Sequence, residues 1–256
     1  YRLGWTVLLL LPVVLLRCRA ELRRVTARDL VLCGASGVLL ALHFLTWFES
    51  LKRTSVASST VLVSTEVIFT ALGFALFLHG KIPRLGVWAI LLAFGGSALL
   101  ALSGGGGAGE LSGNLLALAA ASAAAVYTLI GRIQRGHLST TVYTFLTYLA
   151  CFLTLLLGTA AAGTPLTGYG GREWLIGLAL AVLCTLLGHS LFSWCLKYLS
   201  PSYVSAAKLC EPVFSSLAAI PLFGEVPGPL QLAGGAAVLG AVLLYTWAER
   251  EKTPAG

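Results

Sequence analysis

The chain has no methionine, and Asp29 is its only aspartate. Charged residues make up 11% of its 256 positions. Soluble domains carry about 25%. So little charge excludes an ordinary soluble enzyme or binding module. No CxxC pair occurs among the six cysteines, Cys18, Cys33, Cys151, Cys184, Cys195 and Cys210, and most lie inside apolar runs. They read as small packing residues, with no disulfide or metal framework. No two histidines stand at metal-ligand spacing, so neither a metal nor another cofactor is expected. The glycine run in SGGGGAGELSG at 103–113 lacks the GxxxxGK[ST] pattern and a soluble strand–helix unit after it. It reads as a flexible linker instead of a phosphate cradle. No secretory cleavage pattern is visible. A methionine-free chain that starts at Tyr1 reads as a fragment or a processed product.

What the chain has is apolar length. It is 57% hydrophobic, with a mean hydropathy of +0.89. Apolar runs fall at 3–16, 30–48, 55–78, 86–102, 114–131, 140–162, 174–196, 202–222 and 229–247. Several approach or exceed about 18 residues, the length that marks a span. The fold class expected is all-α and polytopic. A transmembrane barrel would show short alternating segments instead.

The net charge of +7 points to cytoplasmic loops and not to nucleic acid. Counting Lys and Arg in alternate loops tests this. One set holds twelve: Arg17, Arg19, Arg23, Arg24, Arg28, Lys81, Arg84, Arg132, Arg135, Lys197, Arg250 and Lys252. The other holds four: Arg2, Lys52, Arg53 and Arg172. The first set is therefore expected in the cytoplasm, together with the carboxyl terminus. The protein is expected in the plasma (inner) membrane.

One run contains charge. In SYVSAAKLCEPVFSSLAAIPLFGEV (202–226), Lys208 and Glu211 sit mid-span. A charge at that depth costs about 2.5–3.5 kcal/mol on insertion scales. Spacing i, i+3 places both on one helix face. Pro212 follows and removes the partner of the Lys208 carbonyl. Irregular backbone at that depth is tolerated against protein or a water-filled cavity. The run therefore reads as a polar cavity wall, or else as an internal salt bridge that locks packing. Ionisable residues inside a membrane mark pathways by default, which favours the cavity.

The run also has a counterpart. Laying 50–83 over 195–227 at an offset of 145 pairs Leu51 with Leu196, Lys52 with Lys197, Glu66 with Glu211 and Phe69 with Phe214. A one-residue shift pairs Gly80 with Gly224, Pro83 with Pro227 and Gly96 with Gly240. By the loop count the two copies run in opposite directions. Inverted repeats of this kind build many secondary transporters, with the site near mid-depth at the repeat interface. Chance would rarely pair mid-membrane glutamates.

Two groups of residues now resemble a family. Ser50-Leu51-x-x-Thr54-Ser55-Val56-Ala57, Glu66 and Phe69 resemble the first half of the EamA-type transporters of the drug/metabolite transporter superfamily. Gly188-His189-Ser190, Glu211-Pro212-Val213-Phe214, Gly224-Glu225 and Gly234-Gly235 resemble the second half. The resemblance implies two inverted five-helix repeats, ten helices in all. Nine are visible here, and Arg2 resembles the arginine that opens the family's second helix. It implies a first repeat at 1–102, the linker at 103–113, a second repeat at 114–247 and a cytoplasmic tail at 248–256. It also implies transport of amino acids, other metabolites or drugs, by proton coupling or exchange. The first half departs from the pattern. Val67 stands where proline is usual, so no proline kink is expected there, and Lys81 stands where the loop usually has an acid.

The site expected is Glu66, Lys208, Glu211, Pro212 and His189, binding a small organic solute or protons. Glu66 and Glu211 would be the protonatable groups, and Lys208 would hold an anionic group of the solute or balance a carboxylate. Two acids near one lysine leave a surplus acid, which can couple proton to solute by linkage. His189, between Gly188 and Ser190, suits a proton relay or a structural hydrogen bond. Trp47 and Trp194 lie at span ends and read first as interface anchors, then as cavity lining. Tyr127 and Tyr143 are further lining candidates. A membrane-embedded lipid-modifying enzyme and a non-transporting scaffold are the alternatives. The first has no clustered Asp, His or Cys at catalytic spacing to support it.

Overall fold

The computed structural model describes residues 1–54, 56–102, 111–211, 213–214, 217, 221 and 228–250. Regular structure among these residues is helical. In order come α1 (Arg2–Arg17), α2 (Arg19–Leu22), α3 (Ala27–Arg53), α4 (Val56–Ser64), α5 (Glu66–Phe77), α6 (Arg84–Leu102), α7 (Leu111–Gln134) and α8 (Thr140–Ala161). Then follow α9 (Gly171–Ala179), a π-helical segment Leu180–His189, α10 (Ser190–Cys195), α11 (Pro201–Lys208) and α12 (Pro229–Arg250). Five stretches are long and apolar enough to cross a membrane: Ala27–Arg53, Ser59–Phe77, Leu111–Gln134, Thr140–Ala161 and Gly171–Cys195. Arg84–Leu99 and Leu232–Ala248 are shorter apolar helices. The chain is an all-α, multi-pass membrane protein.

Helix ends follow local chemistry. Ser139 caps α8, its Oγ accepting from Val142 N. Ser200 caps α11 in the same way for Tyr203 N, with Pro201 preset at the first helical position. The break between α4 and α5 at Thr65 needs another cause, because Val67 is no proline. Two consecutive hydroxyls bond back to the preceding turn: Ser64 Oγ donates to Thr60 O at 2.8 Å and Thr65 Oγ1 to Leu62 O at 2.6 Å. Such back-bonding competes with the helical ladder and bends helices. Thr65 N accordingly donates three residues back, to Leu62 O. The break thus arises without a proline.

The chain forms two compact units. The first takes residues 1–42 and 126–199, the second 43–125 and 200–256. Each is thus assembled from two separate stretches of the chain. In the first, α1 packs on α8 and on the π-helical segment. Gly37 lets α3 meet α8 closely, since a Cβ there would press on Thr147 O, Ala150 Cβ and Cys151 N. In the second, α6 lies along α12, with Gly96 facing the carbonyl of Gly234. Small residues allow such close approach, which is how helices hold together where lipid is as apolar as leucine. Val67, Ala93, Ala206, Leu209, Val238 and Tyr245 belong to the core of this unit.

Two arginines counted above as loop charge are structural. Arg132 donates to Leu196 O at 2.6 Å and to Lys197 O at 3.1 Å. Arg135, 2% exposed, donates from Nε to Ser193 O at 3.0 Å and from Nη1 to Leu138 O. Both satisfy carbonyls left open at the end of α10, where cations are favoured.

Candidate functional site

The site in the second unit is built from two helix ends. Glu66 opens α5, where a carboxylate meets the positive end of the helix dipole, and Lys208 closes α11 at the negative end. Their side chains meet: Lys208 Nζ donates to Glu66 Oε1 at 2.6 Å, with the side chains 16% and 12% exposed. Ser205, one turn before Lys208, donates to the same oxygen at 3.4 Å and to Thr70 Oγ1 at 3.2 Å. Thr70 lies one turn after Glu66. A ladder of four polar side chains therefore joins α5 to α11 inside an apolar core.

Glu211 stands apart from this ladder. The helix tightens just before it, since Leu209 N donates to Ala206 O and Cys210 N to Ala207 O, three residues back in each case. Glu211 is consequently exposed and makes no hydrogen bond or ion pair among the described residues. It remains within electrostatic reach of both Lys208 and Glu66. The breaks occupy equivalent places in the two sequence halves, at Thr65 before Glu66 and at Leu209–Cys210 before Glu211. Pro212 and the Gly224-Glu225 pair lie outside the described residues.

Trp47, also in the second unit, stacks between His43 and Phe48, at ring centroid distances of 5.8 and 5.6 Å. Its indole Nε1 is buried without a hydrogen-bond partner among the described residues. His43 Nδ1 lies 3.0 Å from Ala120 O.

The other expected residues fall in the first unit. His189 ends the π-helical segment, its ring edge-on to Tyr127 at 6.5 Å. The Tyr127 hydroxyl lies 3.4 Å from Ser193 Oγ. Tyr143 is fully buried, its hydroxyl 2.8 Å from Ser36 Oγ. Trp194 is exposed and packs on Tyr198. Around the π-helical segment, Arg2 Nε donates to Thr185 Oγ1 at 2.7 Å, and Tyr148 OH lies 3.2 Å from Ser190 Oγ. Wide turns of this type concentrate at functional sites.

The sequence reading missed Ser205, Thr70, Arg2 and Thr185 as polar partners. The signal for Ser205 and Thr70 was present, because each sits three or four positions from a mid-span charge on its own helix. Among the described residues no group of three or more His, Cys, Asp and Glu could hold a metal.

The EamA-like transporter family matches residues 1–102 and 111–247. The chain belongs to the EamA-like transporter family. It is thus one of a family of transporters, not of enzymes. The pseudopaline exporter of Pseudomonas aeruginosa is 24% identical over 207 residues, covering 81% of this chain and 72% of the exporter. A probable terminal-alkyne amino-acid exporter of Streptantibioticus cattleyicolor is 28% identical over 233 residues, 87% of this chain and 75% of that protein. An uncharacterized transporter of Bacillus subtilis is 29% identical over 227 residues, covering 86% of this chain and 74% of its own. A solved crystal structure at 21% identity matches with a TM-score of 0.74 over 98% of this chain and 90% of its own. At that identity the likeness speaks to the fold alone.

Proposed function

We propose that this EamA-family chain is a secondary transporter of a small organic solute and works by alternating access in the plasma (inner) membrane. Its carboxyl terminus is cytoplasmic, and its helices are nine of a ten-helix inverted-repeat fold. The repeats span 1–102 and 114–247, with a linker at 103–113 and a tail at 248–256. The observation that carries this reading is one lysine bonded to one carboxylate, with a second acid in electrostatic reach. Lys208 holds Glu66 at 2.6 Å, while Glu211, the equivalent acid of the other half, lies within its field without a bond. Where like charges share a site, ionising both is disfavoured.

The transport cycle follows from that imbalance. A solute carboxylate competes with Glu66 for Lys208, and the acid released takes up a proton. Solute and proton then change each other's affinity by the same factor. An amino-acid-like solute moving outward fits this chemistry, and two relatives named as exporters support it. Pro212 would free the carbonyl that lets the helix open, and His189 would pass protons. Trp47, Tyr127, Tyr143 and Trp194 are secondary candidates for lining the path.

Counterflow in sealed proteoliposomes tests the proposal. Glu66→Gln and Glu211→Gln are each expected to flatten the pH dependence of flux. A pH profile unchanged in both would remove the coupling role. Absence of any solute movement by the folded wild-type protein, across a panel of amino acids and related metabolites, would remove transport itself.

A further inference from the structure

A second polar feature, away from the carboxylate–lysine ladder, lies in the first unit. The stretch from the end of α1 to the start of α3 and the turn before α8 border a half-open cavity of about 510 Å³. Arg17, Cys18, Glu21, Arg24, Asp29 and His137 are among its lining residues. Ligand pockets run to about 300–1,000 Å³.

Its two carboxylates are already engaged. Asp29 Oδ2 accepts from Thr26 N at 3.0 Å and from Thr26 Oγ1 at 2.7 Å. Asp29 Oδ1 lies 2.8 Å from His137 Nε2 and 3.2 Å from Gln134 Nε2, which donates to it. Glu21 Oε1 accepts from Ser139 N at 2.6 Å. Both Asp29 oxygens and one Glu21 oxygen are thus held by protein donors. The two arginines are not so engaged: neither Arg17 nor Arg24 forms a salt bridge among the described residues. Both are exposed, and Arg19, Arg23 and Arg28 in the same stretch are likewise in no salt bridge. The basin therefore presents guanidinium forks, the donor geometry suited to a phosphate.

Apolar surface adjoins the forks. Leu16, next to Arg17, is 83% exposed, and Val31, just past Asp29, is 69% exposed, with Leu15 and Leu30 exposed beside them. A ligand that satisfies both kinds of surface carries a phosphate on an acyl body. We propose that this basin seats the phosphate of an anionic phospholipid, with the acyl chains lying along Leu15, Leu16, Leu30 and Val31. The membrane orientation proposed above enters only in naming the leaflet, the cytoplasmic one.

The test reads lipid binding and needs no transport. The purified full chain is placed in phosphatidylcholine nanodiscs with or without phosphatidylglycerol as a minor component, and retained lipid is quantified by native mass spectrometry. A basic residue near an anionic surface contributes about 1 kcal/mol, so Arg17→Gln with Arg24→Gln should lower phosphatidylglycerol retention about tenfold or more. Arg19→Gln with Arg23→Gln should lower it clearly less. Equal losses in the two pairs would mean diffuse attraction and overturn the site. Displacement by soluble glycerol phosphate at matched concentration would overturn the lipid in favour of a free anion. Unfolding midpoints in phosphatidylcholine alone check that the variants fold. Should the glutamine pair fail to fold, Arg17→Lys with Arg24→Lys carries the test, since it keeps the charge and removes the fork.

Discussion

Lys208→Ala is expected to collapse folded yield and solute flux together, whereas Lys208→Gln combined with Glu66→Gln is expected to restore the fold and leave flux lost. The single change removes the 2.6 Å partner of a carboxylate whose side chain is 12% exposed, and leaves the Ser205 hydroxyl 3.4 Å away. Breaking a buried pair from one side costs about 3–5 kcal/mol, roughly a hundredfold or more in the folded fraction. The double change removes both charges and leaves two amides that can bond to each other, so no buried charge is left uncompensated. Thermal unfolding of the purified protein reads the first quantity and proteoliposome counterflow the second. The pair of readings separates the two roles open to this contact. A purely structural bridge would regain flux in the double variant. A working site would give a stable protein with flux at or below about a hundredth of wild type, because an amide can neither exchange a proton nor hold a carboxylate by charge. A stable double variant that transports normally would end the functional reading.

The path from sequence to this pair shows what apolar patterning can and cannot carry. Five of the nine apolar runs carry helices long and apolar enough to cross a membrane, and helix occupies most of the described residues in the runs. The pairing of Glu66 with Glu211 is a sequence match that charge cost inside a membrane makes unusual. The partner of Lys208 was not legible. Spacing i, i+3 offered Glu211, yet the lysine pairs with Glu66, 142 positions away. The cause is local. The i→i−3 bonds at Leu209 and Cys210 tighten the turn, so Glu211 leaves the helical face on which that spacing depends. Lys208 also has no equivalent in the first half, where the offset of 145 lands on Val63. A repeat comparison that looks for matches passes over an unmatched charge. The Asp29–Gln134–His137 network stayed hidden for a different reason. Its members are 105 and 108 positions apart and sit where the pattern registers only loop and charge. Likewise the hydroxyls of Ser64 and Thr65 broke a helix that apolar periodicity drew as continuous.

Two glycines on one helix give the sharpest expected contrast in stability. Gly34 and Gly37 both lie in α3, one turn apart, and have the same intrinsic cost in a helix. Alanine is better than glycine in a helix interior by about 0.8–1.0 kcal/mol, so propensity alone makes both substitutions stabilising. Surroundings reverse one of them. A Cβ at Gly34 meets nothing within 4 Å. A Cβ at Gly37 meets the Thr147 carbonyl oxygen and the Ala150 Cβ at close range, and the Cys151 amide nitrogen at 2.8 Å. Two of those three atoms are α8 backbone and cannot rotate aside, so α3 and α8 must separate. Tyr143 and Ser36 bond across the same interface at 2.8 Å, with both side chains fully buried, so separation also breaks that contact. Overpacking of this kind costs about 1–3 kcal/mol and occasionally more, and each kcal/mol moves the midpoint of a chain this long by about 2–4 °C. Gly37→Ala should therefore lower the unfolding midpoint by about 5 °C or more, while Gly34→Ala leaves it unchanged or raises it. Equal shifts in the two variants, measured in the same detergent, would mean that α3 and α8 do not approach backbone to backbone at Gly37. The polar contacts of the first unit would then need a different packing to hold them.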